Sequence, residues 1–368
     1  MTLLTGFLGA GKTTLLNHLI RDPNAGRVAV IINEFGDIGL DHDLVEATTE
    51  ETILMPSGCL CCTIRGDLLK TLGKLIARRN RGALTFDRVV IETTGIADPG
   101  PILHSLIVDD LVAPYFRMDG VVTLADAALG PRTLDTQFEA VHQIAMADLI
   151  LVTKSDLVSP PALERFEARL RRINGTARLI QCTHGQVSAG SLFSLDAMQP
   201  HATSEIVYDW LGKTERKPEP LTQLTGLAGQ PRARRPLVRN HPGPETHHDH
   251  RIISASIEVS DPIPADVFDF WLDTLIALSG PNILRMKGLL HVEDIEYPFV
   301  FHGVQHIFDA PVPLKSWAGQ NTKSRVVIIA RDMDRAEIEA SLETLRMQPK
   351  EHRTTAGDTM VPSPEISN

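Results

Sequence analysis

Cysteine is scarce, with four residues in 368, too few for a disulfide framework. No apolar run is long enough to span a bilayer, so no membrane partner is expected. Basic residues are outnumbered, 36 Lys and Arg against 46 Asp and Glu, for a net charge of −10 and a pI near 5.8. An acidic chain tracks phosphate backbones poorly, which sets nucleic acid aside as a partner. No internal repeat is found. Met-Thr-Leu-Leu-Thr leads straight into a glycine-rich turn, with no room for a signal or transit peptide, and the expected location is cytoplasmic. The remainder is ordinary: 43% hydrophobic and 22% charged residues, as in soluble globular proteins, over a length of roughly two domains.

Short apolar runs alternate with helical stretches up to about residue 195. The runs are 2–5, 27–32, 52–55, 87–92, 119–124, 148–153 and 177–182. They are continuous rather than alternating, which predicts strands buried on both faces of a parallel sheet. Helices fit 12–21, 64–79, 99–110, 134–146 and 160–173, with Asp98-Pro99 as a cap and first helical position. The pattern is a doubly wound α/β domain over residues 1–200. Residues 201–250 read as a linker, rich in Pro, Gly, Arg and His from 213 onward. Over 251–347 a smaller α+β domain with an antiparallel sheet follows: strands at 252–259, 284–292, 297–307 and 325–330, helices at 264–279 and 334–346. The polar tail 348–368 is expected to be disordered.

Gly6-Phe7-Leu8-Gly9-Ala10-Gly11-Lys12-Thr13 fits the phosphate-loop pattern G-x-x-x-x-G-K-[ST], after a strand and before a helix. Glycines let the backbone amides turn inward around a phosphate, and the helix N-terminus adds favourable partial charge. Gly9, Ala10, Gly11, Lys12, Thr13 and Thr14 form the cradle; Lys12 reaches the β- and γ-phosphates and Thr13 binds Mg²⁺. Thr153-Lys154-Ser155-Asp156 follows a late strand and fits the guanine-reading pattern [NT]-K-x-D. A carboxylate at Asp156 accepts from both N–H groups on the guanine edge, a donor pair adenine lacks, while Lys154 lies along the base. The expected nucleotide is therefore GTP. Two further loops fall where γ-phosphate switches belong. Asn33-Glu34-Phe35-Gly36-Asp37 follows the second strand, with Asp37 a candidate for orienting the attacking water or metal. Glu92-Thr93-Thr94-Gly95 follows the strand at 87–91; Glu92 would hold Mg²⁺ through water, and Gly95 can approach the γ-phosphate.

Three of the four cysteines sit together in Gly58-Cys59-Leu60-Cys61-Cys62, between the strand at 52–55 and the helix expected near Ile64. A helix N-terminus lowers thiol pKa and favours the metal-binding thiolate. An extended turn lets Cys59 and Cys61 face one way, with Cys62 turned aside. This donor set suits Zn²⁺, or Co²⁺ as a mimic, with one or two positions open for transfer. Cys182, alone at a strand end, reads as a buried inert thiol. His241, His247, His248 and His250 lie in the linker and read equally as a weak metal trap or solvated spacer. His291, His302 and His306 read as satisfied sheet residues.

Taken together, G-F-L-G-A-G-K-T-T, N-E-F-G-D, G-C-L-C-C, E-T-T-G-I-A-D-P-G-P and T-K-S-D resemble the CobW-type family of metal-chaperone GTPases, and within it the YjiA-like branch. The resemblance covers residues 1–195, and the smaller domain looks like the family's C-terminal domain. It implies GTP hydrolysis coupled to delivery of a transition metal, most often zinc, to a client metalloprotein. By residue it implies Cys59, Cys61 and Cys62 for the metal, Lys12 and Thr13 for phosphates and Mg²⁺, and Asp156 for guanine. Some relatives carry a Glu immediately before N-E-F-G that joins the metal; here that position is Ile32, and Glu34, Asp37 and His42 are the alternatives. An exchangeable thiol loop could also form a homodimer contact.

Two other readings compete. A zinc store with a vestigial nucleotide site would not need Lys12, Thr13, Glu92 and Asp156 intact. A P-loop kinase is disfavoured by T-K-S-D. The guanine assignment has a direct check. Asp156→Asn should weaken GTP and accept xanthosine nucleotide, because the amide supplies a donor where xanthine offers a carbonyl. Equal affinity of the parent protein for ATP and GTP would refute the assignment.

Overall fold

The computed structural model describes residues 1–32, 52–54, 61–195, 197, 198, 201–212, 249–317 and 323–348. In chain order the first part contains β1 (Thr2–Gly6), α1 (Lys12–Arg21), β2 (Val28–Ile32), β3 (Thr52–Leu54), α2 (Cys61–Asn80), β4 (Arg88–Glu92) and α3 (Pro99–Val108). It continues with β5 (Gly120–Asp126), α4 (Gly130–Thr136), α5 (Phe138–Ala145), β6 (Leu149–Thr153), α6 (Pro160–Ile173), β7 (Arg178–Cys182), α7 (Ala189–Leu192) and α8 (Ser204–Leu211). Seven strands pair in the order β3-β2-β4-β1-β5-β6-β7, every pair parallel.

Strands β1, β2, β5 and β6 are buried along their whole length, which is why their sequences show no polar alternation. Successive residues serve opposite faces. Leu3, Ile31, Ile91 and Val121 pack with Leu68 of α2, Leu103 of α3, Ile144 of α5 and Leu170 of α6. Leu4, Val30, Val90 and Val122 pack with Leu15 and Leu19 of α1 and Leu192 of α7. Both faces are covered, as the apolar runs predict. Asp98 accepts from the Gly100 amide with Pro99 at the first helical position of α3, as expected.

The second part contains β8 (Ile252–Val259), α9 (Ala265–Ser279), β9 (Ile283–Leu290), β10 (Phe299–Val304), β11 (Ile307–Phe308), β12 (Val312–Pro313), β13 (Ser324–Arg331) and α10 (Arg335–Glu343). Its sheet runs β11-β10-β9-β13-β8, with β12 also on β10, and all pairs are antiparallel.

Four expectations need correction. The helix expected from 64 begins at Cys61, because nothing in Cys-Cys-Thr opposes helical backbone. The single helix expected over 134–146 is two, interrupted where Gln137 is extended (φ −127°, ψ 107°); the first begins early, at Gly130-Pro131, where proline suits an opening turn. The strand expected over 297–307 ends at Val304 and folds back as a hairpin, with Gln305 left-handed at φ 57°. Residues 204–211, read as linker, form α8, capped by Thr203. Its buried Val207, Trp210 and Leu211 follow the i, i+3, i+4 spacing of an apolar face, a signal swamped by the polar stretch beyond it.

The two sheets are joined through a charged cluster and a shared core. Ile252, Leu284, Val304 and Ile329 of the second sheet belong to the same core cluster as Leu103 and Ile144. Asp148, just before β6, pairs with both Arg285 and Lys287 of β9, Lys287 Nζ lying 3.0 Å away. Arg285 also donates to the Met146 carbonyl, and Lys287 to the Trp210 carbonyl at 3.0 Å. All three charged side chains are buried. Burial alone would raise the Asp148 pKa, but Arg285 and Lys287 hold it well below the usual carboxylate range. Burial pushes the Lys287 ammonium down to about 8 despite Asp148 beside it.

Removing the anion from this cluster leaves two buried cations without a counter-charge. Asp148→Ala should therefore destabilise the protein by about 3–5 kcal/mol in chemical denaturation. Because its folded pKa is depressed, the Asp148 contribution is present above the ordinary carboxylate range and is lost as pH falls below it. The loss on substitution should accordingly shrink at strongly acidic pH.

Candidate functional site

A parallel sheet gathers its ligand-facing loops at the carboxyl ends of its strands. The loops after β1, β4, β5, β6 and β7 meet there. The turn from Gly6 to Gly11 joins β1 to α1, with positive φ at Gly6 (141°), Gly9 (74°) and Gly11 (102°). A Cβ on Gly6 would lie 2.7 Å from the Leu124 carbonyl oxygen of β5, so only glycine lets the chain leave the sheet this close to its neighbour. Gly9 has open space around it and needs glycine for its backbone alone. Helix α1 starts at Lys12 with no side-chain cap, so its first amides face the turn. Lys12 is buried, and its Nζ donates to the Gly6 carbonyl at 2.9 Å. Ala10 is buried, Thr13 half-buried and Thr14 exposed at the start of the helix.

The loop after β4 lies directly on this turn. Glu92 ends β4 beside Leu4 of β1 and is buried. The Thr93 amide donates to the Leu4 carbonyl at 2.9 Å, and the Thr93 hydroxyl to that of Thr5 at 2.8 Å. A Cβ on Gly95 would come within 2.7 Å of the Leu8 backbone nitrogen and 2.8 Å of its Cα. From the other side, the Gln143 amide of α5 donates to the carbonyls of Gly95 at 3.2 Å and Ala97 at 3.0 Å.

The loop after β6 holds the turn from a third direction. Thr153 Oγ1 donates to the Ala10 carbonyl at 2.8 Å. Lys154 is left-handed at φ 54°, and its Nζ lies 2.6 Å from Asp126 Oδ2 at the end of β5. Asp126 Oδ1 accepts from the Ala128 and Leu129 amides. Asp156 is exposed in the short helical turn that follows. The loop after β7 closes the set: a Cβ on Gly185 would lie 2.9 Å from the Thr14 carbonyl.

This donor set fits a polyphosphate carrying a divalent cation: backbone amides at a helix start, one ammonium, one hydroxyl and one buried carboxylate. Structure thus brings Gly9, Ala10, Gly11, Lys12, Thr13, Thr14, Glu92, Gly95, Thr153, Lys154 and Asp156 to one edge of the sheet. Two residues of this edge were missed in the sequence. Asp126 had a usable signal, a carboxylate closing an apolar run. Gln143 had none, because a single amide within a helix looks like any surface polar residue.

The candidate metal ligands fare differently. Cys61 and Cys62 open α2 rather than lying in an extended turn before it. Cys59, Glu34, Asp37, His42, His241, His247 and His248 lie outside the described residues. Among the described residues, no group of three or more metal-ligating side chains is present. Cys182 is buried at the end of β7, and burial pushes its thiol pKa up, as an inert thiol requires. His302 is half-buried, with Nδ1 3.3 Å from Asp309 Oδ2.

Comparison with known proteins places both parts of the chain. Residues 1–181 match the family model described as CobW/HypB/UreG, nucleotide-binding domain. Residues 252–346 match that of the cobalamin synthesis protein cobW C-terminal domain. The chain is 30% identical over 346 residues to the zinc chaperone YjiA of Escherichia coli, covering 94% of this chain and 98% of the relative. It is 29% identical over 364 residues to the zinc-regulated GTPase metalloprotein activator 1 of Schizosaccharomyces pombe, covering 91% and 83%. In structure it is similar to the Zn(II)-bound YjiA GTPase from E. coli, with a TM-score of 0.66, 27% identity, and coverage of 94% and 98%.

The contact between the loop after β4 and the glycine-rich turn is backbone against backbone, so it cannot absorb a side chain. Gly95→Ala should separate the two loops and lower nucleotide turnover by about a hundred-fold, the scale of a displacement near 1 Å. The check is steady-state hydrolysis beside a thermal melt; unchanged turnover would show that the close approach is dispensable.

Proposed function

The chain belongs to the CobW/HypB/UreG family, and we propose that it is a GTP-hydrolysing metallochaperone that binds zinc at its thiol segment and passes it to a client metalloprotein. Membership makes it a P-loop GTPase. The observation that carries the metal half of the reading is topological. Cys59 falls between the carboxyl end of β3 and the start of α2 at Cys61. Because β3 is parallel to β2, β2 to β4 and β4 to β1, β3 ends at Leu54 on the same edge of the sheet as the phosphate turn. Nucleotide and metal would then be handled on one edge of one sheet.

In this reading the backbone amides of Gly9 to Thr14 and the Lys12 ammonium hold the phosphates of GTP. Thr13 gives its hydroxyl to Mg²⁺, and Glu92 holds the same ion through water. Lys154, fixed by Asp126, flanks the base, and Asp156 reads the guanine edge. Asp37 orients the attacking water. Cys59, Cys61 and Cys62 supply thiolates to Zn²⁺, with Co²⁺ as an alternative cargo; two of them open a helix, where the N-terminal partial charge favours the thiolate. GTP orders the loops at 33–42 and 92–98, and hydrolysis releases them so that the metal can leave. The client supplies the receiving ligands. No described helix is long and apolar enough to cross a membrane; the proposed place of work is the cytoplasm.

If nucleotide gates the thiol site, zinc affinity must differ between Mg-GTP and Mg-GDP, and linkage requires zinc to shift nucleotide affinity by the same factor. Competition with a chromophoric chelator should give roughly 5–150-fold tighter zinc with a non-hydrolysable GTP analogue than with GDP. Cys61→Ala with Cys62→Ala should abolish that difference while leaving GTP binding intact. Equal zinc affinity in the two nucleotide states would end the chaperone mechanism.

A further inference from the structure

Helix α3 begins four residues after Gly95, and its first turn is touched by the other domain. A Cβ on Gly100 would lie 3.2 Å from Nε2 of Gln305, at the tip of the β10–β11 hairpin. One turn further along α3, the rings of His104 and His306 approach to 5.6 Å between centroids. Between these contacts and the sheet, Val304 is buried in the same core cluster as Ile102, Leu103 and Leu106 of α3.

The hairpin tip is built for this approach. Gln305 and His306 form a two-residue turn between paired Val304 and Ile307. Gln305 is left-handed at φ 57°, a conformation that is uncommon for a residue with a long side chain. Such a conformation persists only when its surroundings impose it. Here the hairpin register and the Gln305 amide bond to the Leu284 carbonyl impose it, and the side chain is delivered onto Gly100. Glycine at that helix position leaves room for the amide.

The other end of the same segment is equally confined. Gly95 abuts the Leu8 backbone, and Gln143 binds the carbonyls of Gly95 and Ala97. Asp98, which caps α3, lies 3.4 Å from Nδ1 of buried His142. The chain from Gly95 to Gly100 is thus pinned at its start by α5 and the phosphate turn, and at its end by Gln305. Held at both ends, these six residues set where Gly95 lies whenever the loop is ordered.

The geometry points to Gln305, with His306 beside it, as a positioning residue for GTP hydrolysis that the C-terminal domain lends to the nucleotide site. It acts through Gly100 and the first turn of α3, without touching nucleotide. The inference rests on the GTPase reading above and adds to it a role for the second domain in turnover. It also means that the state of the loop after Glu92 is felt by the hairpin, because a contact that restrains one side restrains the other.

The test uses the full chain and Gln305→Gly. Glycine accepts φ 57° without strain, so the hairpin survives while the amide is lost. His306→Ala is the second variant, and Glu293→Ala, an exposed position outside this contact, is the control. The expected result for Gln305→Gly is a kcat for GTP lower by about ten-fold or more, with KM, Mg-GDP affinity and melting temperature unchanged. His306→Ala should move kcat in the same direction, and Glu293→Ala should leave it alone. An unchanged kcat in Gln305→Gly, with the parent turning over GTP, overturns the positioning role alone. A parallel fall of kcat, GDP affinity and melting temperature also overturns it, since a purely structural contact gives that pattern. Absence of GTP turnover in the parent overturns the underlying GTPase reading and this inference with it.

Discussion

A backbone turn that must present amides, not side chains, to its ligand sets the terms for the rest of this molecule. Between β1 and α1 the chain reverses at the carboxyl edge of the sheet through three glycines with positive φ. Side chains there are excluded by the Leu124 carbonyl on one side. A turn of this kind has little to hold it from within. It is held from outside, by the Thr153 hydroxyl on Ala10, by the Lys12 ammonium on Gly6 and by Gly95 against Leu8. Each clamp comes from a different element, and each is a residue type that sequence patterns associate with nucleotide chemistry. The same residues therefore answer to the ligand and to the packing of the turn.

The second domain is more than an appendage to this edge. Asp148 of the first sheet lies buried between Arg285 and Lys287 of the second, and one core cluster contains residues of both sheets. A buried ion cluster adds little net stability over an apolar contact of the same shape, but it penalises any arrangement that separates its members. It thus keeps β9 and its hairpin neighbour β10 in register with the first sheet. That register is what brings Gln305 to Gly100 and His306 to His104. Electrostatics at the amino-terminal end of β6 and packing on the first turns of α3 are linked through one antiparallel sheet.

Much of this was legible in the residues themselves. Unbroken apolar runs identified strands covered on both faces, because a strand between two helical layers has no solvent side to mark with polar residues. Glycine at fixed spacing before Lys12-Thr13 identified the phosphate turn, because few other residues tolerate its backbone. Asp98-Pro99 marked the start of α3, because capping is a local matter of one side chain and one amide. Where reading failed, the deciding contact was remote. Helix α8 looked like linker because its apolar face is short and its packing partners are remote, among them Leu289, Val300 and Val327 of the second sheet. The single strand expected over 297–307 became a hairpin because its last residues pair backward onto β10.

Local chemistry therefore marked the candidates for phosphate, guanine and a thiophilic metal, since each motif carries its own backbone and donor requirements within a few positions. Only the tertiary structure decided which of them share an edge, and which distant side chains hold them there. Asp126 reaches Lys154 across 28 positions, Gln143 reaches Gly95 across 48, and Gln305 reaches Gly100 from another sheet altogether. No pattern in the intervening chain encodes those meetings. They follow from strand order and from the burial of apolar faces and paired charges, which are properties of the whole fold and of no single segment.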